Sequence, residues 1–394
     1  MYALIVGASK EAIFAIEQAK NMGFTVICVD GDENAEGLKY ADISYVIDIR
    51  YPERIIDILS GIRPDVIIPV PIGRYLITMG ALNDYYHLQG ISKKTADICT
   101  DKYSFHETLN MLGLRDINCT LISSGKKIKK IKVDYPSIVK PRFGSGSRGV
   151  IAVETETELF ENLIEKLPYS EDYIIETLVE GTEYGIDAAV VNGEFKLILL
   201  REKMLTPFPA RQCVGYFSVV EDDSNTKLLS DIRDYMSKVT NGIGLNHCIL
   251  HADIICNNDE VFLIEISPRP SGHNLHNLFT PLVTNTNMIS EYIKYAVKDL
   301  GQPYSFDVKQ RKCMIIRYFD FSNCRIITQP NKDELMSEYS LLVYECNINN
   351  SILEQVVDGA SIMNRGYFIL EGKDKQELVK ISEEILGKFE REYI

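Results

Sequence analysis

The chain contains no apolar run approaching the ~18 residues that a membrane-spanning helix needs, so no transmembrane segment is predicted. Residues 1–7 (MYALIVG) carry neither a basic stretch nor a small-residue cleavage site, which favours a first β-strand over a signal peptide. The nine cysteines are scattered and include no C-x-x-C pair. Such cysteines in a chain without an export signal indicate reduced thiols, and we therefore expect a cytoplasmic protein.

Positive charge is also scarce. Lysine and arginine number 42 against 56 aspartates and glutamates, which gives a net charge of −14. This balance argues against nonspecific binding to nucleic acids or anionic membranes, although it allows a local cationic pocket for phosphates. With 394 residues, 45% of them hydrophobic and 25% charged, the chain is long enough for roughly two to three folded domains.

Strand and helix patterns alternate through residues 1–95. Apolar runs at residues 2–6, 25–29 and 65–69 are separated by helical spacing, and this alternation predicts βαβ units and a doubly wound parallel sheet. A single long helix is predicted over residues 92–112, with apolar residues along one face. Further along, strands joined by turns alternate with single helices, so the predicted fold class is α/β and α+β.

A glycine-rich stretch, residues 143–150 (FGSGSRGV), contains G-x-G-x-x-G. A dinucleotide-binding fingerprint must open a helix, whereas a strand-like run follows here, so the stretch is predicted to join two strands. Backbone N–H groups of such a loop can surround anionic oxygens, and Ser145, Ser147 and Arg148 add hydroxyl groups and charge. Lys140 closes the preceding strand and can reach a phosphate. An ordinary hairpin turn without a ligand is the alternative.

The strongest local signal lies in residues 247–270. Period-2 alternation and the turn at residues 257–259 place Asp253 and Glu265 roughly opposite each other on one face of a predicted hairpin. Like charges side by side destabilise a sheet, whereas Mg²⁺ held by both carboxylates and by phosphate oxygens would remove that repulsion. Arg269 follows closely, and its planar guanidinium suits a carboxylate or phosphoryl group. A solvent-facing hairpin with ordinary acidic residues is the alternative.

The histidines raise the possibility of a zinc site, since two pairs of them are closely spaced. His247 and His251 fall in a predicted strand, where positions four apart lie about 13 Å from each other. His273 and His276 are three apart, and no cysteine pair supports a closed site. Zinc is therefore disfavoured, and His251 is expected to share the pocket face of Asp253.

Taken together and in order, these residues resemble the ATP-grasp superfamily of carboxylate–amine ligases, which includes L-amino-acid ligases, biotin carboxylase and purine-pathway enzymes. The resemblance runs over essentially the whole chain, and its specificity lies in the ordered series. The matching pieces are residues 2–7 with 28–30 for the N-terminal nucleotide fold, 101–102 for the first ATP lysine, 137–150 for the second lysine and its loop, 175–183 for the adenine hinge and ribose acid, 253 with 265–270 for the metal and acyl-phosphate site, and 364–367 with 372 for the C-terminal domain.

This resemblance implies three domains. An N-terminal nucleotide-fold domain would span residues 1–95, and an ATP-grasp domain of two α+β subdomains would span residues 96–300. Its smaller lid subdomain would cover residues 120–182. A small C-terminal α+β domain would occupy residues 301–394.

The resemblance also implies cofactors and residue roles. ATP and Mg²⁺, or Mn²⁺ in its place, would be the cofactors, and Arg269 and Lys140 would be catalytic. Ser267 stands where many members have an asparagine ligand, so a third protein ligand to the metal is not implied. The remaining implied contacts are Lys102, Lys140, Ser145, Ser147, Glu176, Leu178, Val179 and Glu183 with ATP, Asp253 and Glu265 with the metal, and Arg269, Ser267, His273 and Arg74 with the substrates.

The implied reaction converts a carboxylate into an acyl phosphate, which an amine then attacks to give an amide bond, ADP and phosphate. We expect small carboxylate and amine substrates, an amino acid among them, and a homodimer, which is common in this superfamily. Three alternatives stay open: a purine-pathway enzyme that uses formate or bicarbonate, a non-catalytic nucleotide sensor, and a nicotinamide-dependent oxidoreductase. Gly7 and Asp30 motivate the last, although the first turn lacks a second glycine.

Overall fold

Four parallel strands form a sheet in the N-terminal region, in the order β3 (Ile43–Val46), β2 (Thr25–Asp30), β1 (Tyr2–Val6) and β4 (Val66–Ile67). The computed structural model describes residues 1–115, 117–123, 133–144, 148–165, 171–207, 211–257, 260–356 and 359–394. Strand β1 is buried from its second residue onward, as expected for a parallel sheet covered by helices. The predicted parallel sheet is therefore confirmed. Its elements are β1 Tyr2–Val6, α1 Ile13–Asn21, β2 Thr25–Asp30, β3 Ile43–Val46, α2 Pro52–Ile58, β4 Val66–Ile67 and α3 Leu76–Tyr86.

The predicted single helix over residues 92–112 is wrong, because the structure divides it into α4 Lys93–Thr100 and α5 Lys102–Met111. The break lies at Asp101, whose backbone is extended and whose carboxylate accepts hydrogen bonds from the N–H groups at the start of α5. Arg142 donates to the same carboxylate at 2.8 and 2.6 Å. A long-range ion pair that the helical spacing does not reveal therefore fixes the position of Lys102.

A second, antiparallel sheet has four strands in the order β5-β8-β6-β7. The two strands that flank the glycine-rich stretch pair directly, with Val139 opposite Ile151, so the predicted hairpin is confirmed. The elements here are β5 Cys119–Ile122, β6 Ser137–Pro141, β7 Ile151–Val153, α6 Glu156–Glu165 and β8 Tyr173–Thr177.

The largest sheet has eight strands in the order β13-β12-β9-β10-β11-β14-β18-β16, and it extends into the last hundred residues. The mixed α/β class is confirmed, and the domain boundaries near residues 95 and 300 stay predictions. Among the described residues, no helix combines the length and apolarity needed to cross a membrane. The elements are β9 Thr182–Val191, β10 Glu194–Leu205, β11 Cys213–Ser218, α7 Thr226–Gly242, β12 Cys248–Asn257, β13 Glu260–Ser267, α8 Thr280–Thr284, α9 Met288–Ala296, β14 Met314–Tyr318, β15 Cys324–Thr328, α10 Lys332–Glu338, β16 Leu341–Cys346, β17 Ile352–Leu353, α11 Gly359–Met363, β18 Gly366–Glu371, α12 Lys375–Gly387 and β19 Glu390–Tyr393.

Candidate active site

A cleft of about 190 Å³ lies between the antiparallel four-stranded sheet (β5-β8-β6-β7) and the β12–β13 edge of the eight-stranded sheet. Both sheets contribute charged side chains to its wall, so the structure brings most of the predicted ATP and metal residues together. Ser145 and Ser147 fall outside the described residues. The predicted residues that line the cleft are Lys102, Lys140, Glu176, Leu178, Val179, Glu183, Asp253 and Glu265.

Asp253 and Glu265 lie directly opposite each other on the antiparallel strands β12 and β13, as the sequence pattern predicts. The pairing slips by one residue immediately afterwards, because Ile254 pairs with Leu263 and leaves Ile264 as a β-bulge. Consecutive residues of a regular strand face opposite sides, yet both Ile264 and Glu265 line the cleft. The bulge accounts for this placement of Glu265.

Lys203, on β10, holds the Asp253 carboxylate and was not anticipated from the sequence. Its Nζ lies 2.8 Å from Oδ2 of Asp253 and 3.7 Å from Oε2 of Glu183. Burial acts to raise the pKa of Asp253, but Lys203, His251 and Arg201 together outweigh burial and leave that pKa below its usual value. Burial likewise opposes the charge on Lys203, while Asp253 and Glu183 raise its pKa. The pair is therefore ionised at neutral pH.

Glu176 is buried at a junction of three basic side chains. Its Oε1 accepts a hydrogen bond of 2.5 Å from Lys140, while Oε2 lies 3.3 Å from a terminal nitrogen of Arg115 and 2.5 Å from Nε2 of His106. Burial acts to raise the pKa of Glu176, but Lys140 and His106 lower it well below its usual value. Burial lowers the pKa of His106, so this imidazole is neutral. Both carboxylate oxygens of Glu176 already contact these basic side chains. The contact of Glu176 with adenine stays a prediction.

Lys102 and the predicted hinge both line the cleft. Lys102 donates to the Gly144 carbonyl at 2.8 Å, which places its ammonium against the glycine-rich loop. The Leu178 N–H donates to the Pro136 carbonyl at 2.9 Å. The Leu178 N–H therefore already has a partner, and a hinge contact with a base must use other backbone groups of residues 178–179.

The predicted substrate residues divide into two sets. Arg74, Ser267 and Arg269 line a small cavity together with Lys102 and Glu265, next to the main cleft. Burial lowers the pKa of Arg269, whereas the neighbouring carboxylates, Glu265 first, raise it in part. The Nε of Arg269 is buried and has no hydrogen-bond partner among the described residues. Two arginines and a carboxylate thus line the same cavity, and guanidinium groups fit an anionic substrate group.

His273 is not among the described residues that line either cavity. Its N–H donates to Oε1 of Glu11 at 2.5 Å, and its carbonyl accepts from the Tyr318 hydroxyl at 2.6 Å. Burial and Arg269 lower the pKa of its imidazole to about 4. The substrate role of His273 stays a prediction, and in the structure its backbone ties the loop after Arg269 to the N-terminal region.

The acidic residue that motivates the nicotinamide alternative serves the local turn. Asp30 accepts hydrogen bonds from the Ala8 N–H at 2.6 Å and from the Asp32 N–H at 2.9 Å. Each of its oxygens is thus bonded within the turns that follow β1 and β2. A ribose hydroxyl would have to compete with these bonds.

Metal binding in the main cleft depends on few protein ligands. Within the ranges that the structure describes, no three histidine, cysteine or acidic side chains lie close enough to hold an ion by themselves. Oδ1 of Asp253 is buried and has no hydrogen-bond partner among the described residues. Asp253 and Glu265 suit Mg²⁺, which typically takes one or two carboxylates plus water and phosphate oxygens.

Comparison with known proteins places this cleft in context. The ATP-grasp domain family matches residues 133–277, which include Lys140, Asp253, Glu265 and Arg269. A formate-dependent phosphoribosylglycinamide formyltransferase of Prochlorococcus marinus (strain MIT 9515) is 22% identical over 68% of this chain and 69% of its own length. A D-alanine–D-alanine ligase of Campylobacter jejuni is 23% identical over 55% of this chain and 64% of that protein.

Two solved structures have a similar fold over the full length of this chain. The L-amino acid ligase from Bacillus licheniformis superposes with a TM-score of 0.79 at 15% identity, covering 100% of this chain and 98% of that one. The phosphoribosylglycinamide synthetase from Anaerococcus prevotii gives a TM-score of 0.72 at 17% identity, covering 100% and 99%. The resemblance predicted from the sequence is confirmed by these similarities together.

Proposed function

We propose that this chain, a member of the ATP-grasp superfamily and an ATP-dependent carboxylate–amine ligase, joins an amino acid to an amine through an acyl phosphate. A substrate carboxylate oxygen attacks the γ-phosphorus of ATP and ADP leaves. The amine nitrogen then attacks the carbonyl carbon, phosphate leaves, and the nitrogen loses a proton. The products are an amide or peptide bond, ADP and phosphate.

The observation that carries this proposal is the pair Asp253 and Glu265, which face the same cleft as Lys140. These carboxylates would hold Mg²⁺, or Mn²⁺ in its place. When bound, the ion would neutralise negative charge that develops on the transferred phosphoryl group. Lys140 and Lys102 would bind phosphate oxygens from opposite sides of the glycine-rich loop, and Glu183 would accept hydrogen bonds from the ribose.

Lys203 can take the place of the metal ion as the cation beside Asp253. Its ammonium lies on Asp253, where it supplies the positive charge that the ion would otherwise supply. On nucleotide binding, Lys203 would leave Asp253 and contact a phosphate oxygen or Glu183, which is already within 3.7 Å. Because one cation replaces the other, the negative charge of Asp253 is never left without a counter-ion.

The small cavity beside Glu265 supports the choice of a compact carboxylate substrate. Arg74 and Arg269 both line it, and a guanidinium can bind a carboxylate with two parallel hydrogen bonds. Arg269 would also stabilise the charge on the acyl phosphate, since it lines this cavity together with Glu265. The neighbouring aromatic side chain of Phe105 limits the size of a group bound there.

The test is an ADP-release screen over pairs of carboxylic acids and amines, with and without Mg²⁺. We expect release that needs an amino acid, an amine and the metal together. Glu265→Gln should reduce turnover at least ~100-fold, because it removes one of the two carboxylates that hold the charge-neutralising ion. Glu260→Gln, on the exposed start of the same strand, is the matched control. Wild-type turnover in Glu265→Gln would contradict the metal assignment.

A second candidate is a formate- or bicarbonate-using enzyme of the purine-pathway type. The first three of the curated relatives are formate-dependent phosphoribosylglycinamide formyltransferases, which favours this alternative. The screen separates the two, because ADP release with formate plus glycinamide ribonucleotide, and none with amino acids, would select the second candidate. A homodimer also stays a proposal, which sedimentation equilibrium would test.

A further inference from the structure

Arg115 lies between α5 and β5, and it reaches both sheets that form the cleft. Its side chain is only 1% exposed. One terminal nitrogen donates to the backbone carbonyl of Leu263 on β13, and the other lies 3.3 Å from Oε2 of Glu176 on β8. The guanidinium fork can serve two such partners at once because its nitrogens diverge in a fixed plane.

The first partner leads to the nucleotide side of the cleft. Glu176 receives Arg115 on Oε2 and Lys140 on Oε1, with the Lys140 contact at 2.5 Å. Arg115 therefore acts on Lys140 through one shared carboxylate. If Arg115 is removed, Glu176 keeps Lys140 as its counter-ion, so no unpaired buried charge remains.

The second partner leads to the metal side. Leu263 immediately precedes Ile264, the bulged residue that allows Glu265 to face the cleft. A bulge leaves the local ladder of strand hydrogen bonds interrupted, and the Leu263 carbonyl takes a side-chain donor instead. The bond from Arg115 holds the backbone at the point where the direction of Glu265 is decided.

We propose that Arg115 is a positioning residue that couples the phosphate-binding Lys140 to the metal-binding Glu265 across the two sheets of the cleft. Arg115 also lines the cleft, but its hydrogen bonds go to Glu176 and to the Leu263 backbone, and it acts through them. This inference rests on the proposed nucleotide and metal roles of Lys140 and Glu265. It adds that the distance between those two groups is set by one buried guanidinium.

Arg115→Met tests the coupling. We expect Mn²⁺ binding to the protein–ADP complex, measured by electron paramagnetic resonance, to weaken about 10–100-fold, the range found when supporting contacts to metal ligands are lost. The Mg²⁺ concentration for half-maximal turnover should rise by the same factor, while metal-free ADP affinity changes less than about threefold. Arg115→Lys keeps the charge but not the fork, and it should fall between wild type and Arg115→Met.

Arg233→Met, which removes an arginine from an exposed pair with Glu221 on the surface, is the control for loss of one positive charge. Wild-type Mn²⁺ affinity in a folded Arg115→Met would overturn the inference. If Arg115→Met does not fold, Arg115→Lys decides: unchanged Mn²⁺ affinity there overturns the coupling, and weakened affinity supports it. Absence of ADP and Mn²⁺ binding by the wild-type protein would instead refute the proposed function.

Discussion

Replacing Lys203 with methionine removes the cation that contacts Asp253 at 2.8 Å. Two unit charges ~4 Å apart interact by roughly 4 kcal/mol at an effective dielectric constant of 20. Lys203 is 11% exposed and Asp253 24%, so bulk water screens the pair only in part. If Lys203 competes with the metal for Asp253, even a third of that energy, about 1.4 kcal/mol, makes metal binding tenfold tighter.

We therefore expect Lys203→Met to bind Mn²⁺ at least about tenfold more tightly than wild type in the absence of nucleotide, as measured by electron paramagnetic resonance. Without added metal, the variant should lose roughly 1–3 kcal/mol of unfolding free energy, because Asp253 is left without its partner. Saturating Mn²⁺ should restore much of that loss in a thermal-shift assay. Turnover should fall, because a phosphate contact is lost.

The matched control is Lys196→Met on the same strand, since Lys196 pairs with the exposed Glu194 and Asp307. Exposed pairs contribute about 0–1 kcal/mol, so this variant should behave as wild type. Unchanged or weaker Mn²⁺ binding by Lys203→Met would refute the competition between lysine and metal at Asp253.

Two further predictions concern the cap of α5 and the buried histidines. Asp101→Ala should lower the unfolding free energy, measured by urea denaturation, by about 0.5–2 kcal/mol through loss of the N-cap. The variant should also have a higher KM for ATP, because Lys102 begins the capped helix. An unchanged KM would contradict this link between the cap and Lys102. His273 and His276 have pKa values lowered by burial from 6.5 to about 4, so the unfolded chain binds more protons between these values and stability falls as pH drops through that window. From pH 6.5 to pH 5 each histidine would cost about 1.6 kcal/mol of unfolding free energy, because the unfolded imidazole is already half protonated at pH 6.5. A flat urea midpoint over this range would contradict the prediction, and His276→Asn should reduce the slope.

The facing carboxylates could be predicted because their placement is local. Two strands joined by a short turn bring Asp253 and Glu265 close together, as period-2 alternation predicts. Regular pairing from the turn would set Asp253 opposite Ile264, and the bulge at Ile264, which the alternation does not reveal, sets it opposite Glu265. The hairpin around the glycine-rich stretch was predictable for the same reason. The parallel N-terminal sheet followed from the alternation of strand and helix patterns.

The residues that the sequence did not reveal act over long separations. Lys203 comes from a strand fifty residues before Asp253, and Arg115 reaches Leu263 across 148 residues of chain. The break at Asp101 depends on Arg142, which the helical spacing of residues 92–112 does not encode. Such contacts arise from the packing of whole sheets, so neither periodicity nor motif spacing predicts them.

The most direct test of the proposed metal site is a crystal structure of the protein with ADP and Mg²⁺, compared with the same complex of Glu265→Gln. We expect an ion bound by the carboxylates of Asp253 and Glu265 and by phosphate oxygens, with Lys203 moved away from Asp253. An ion bound elsewhere, or nucleotide phosphates outside the cleft lined by Lys102 and Lys140, would contradict it.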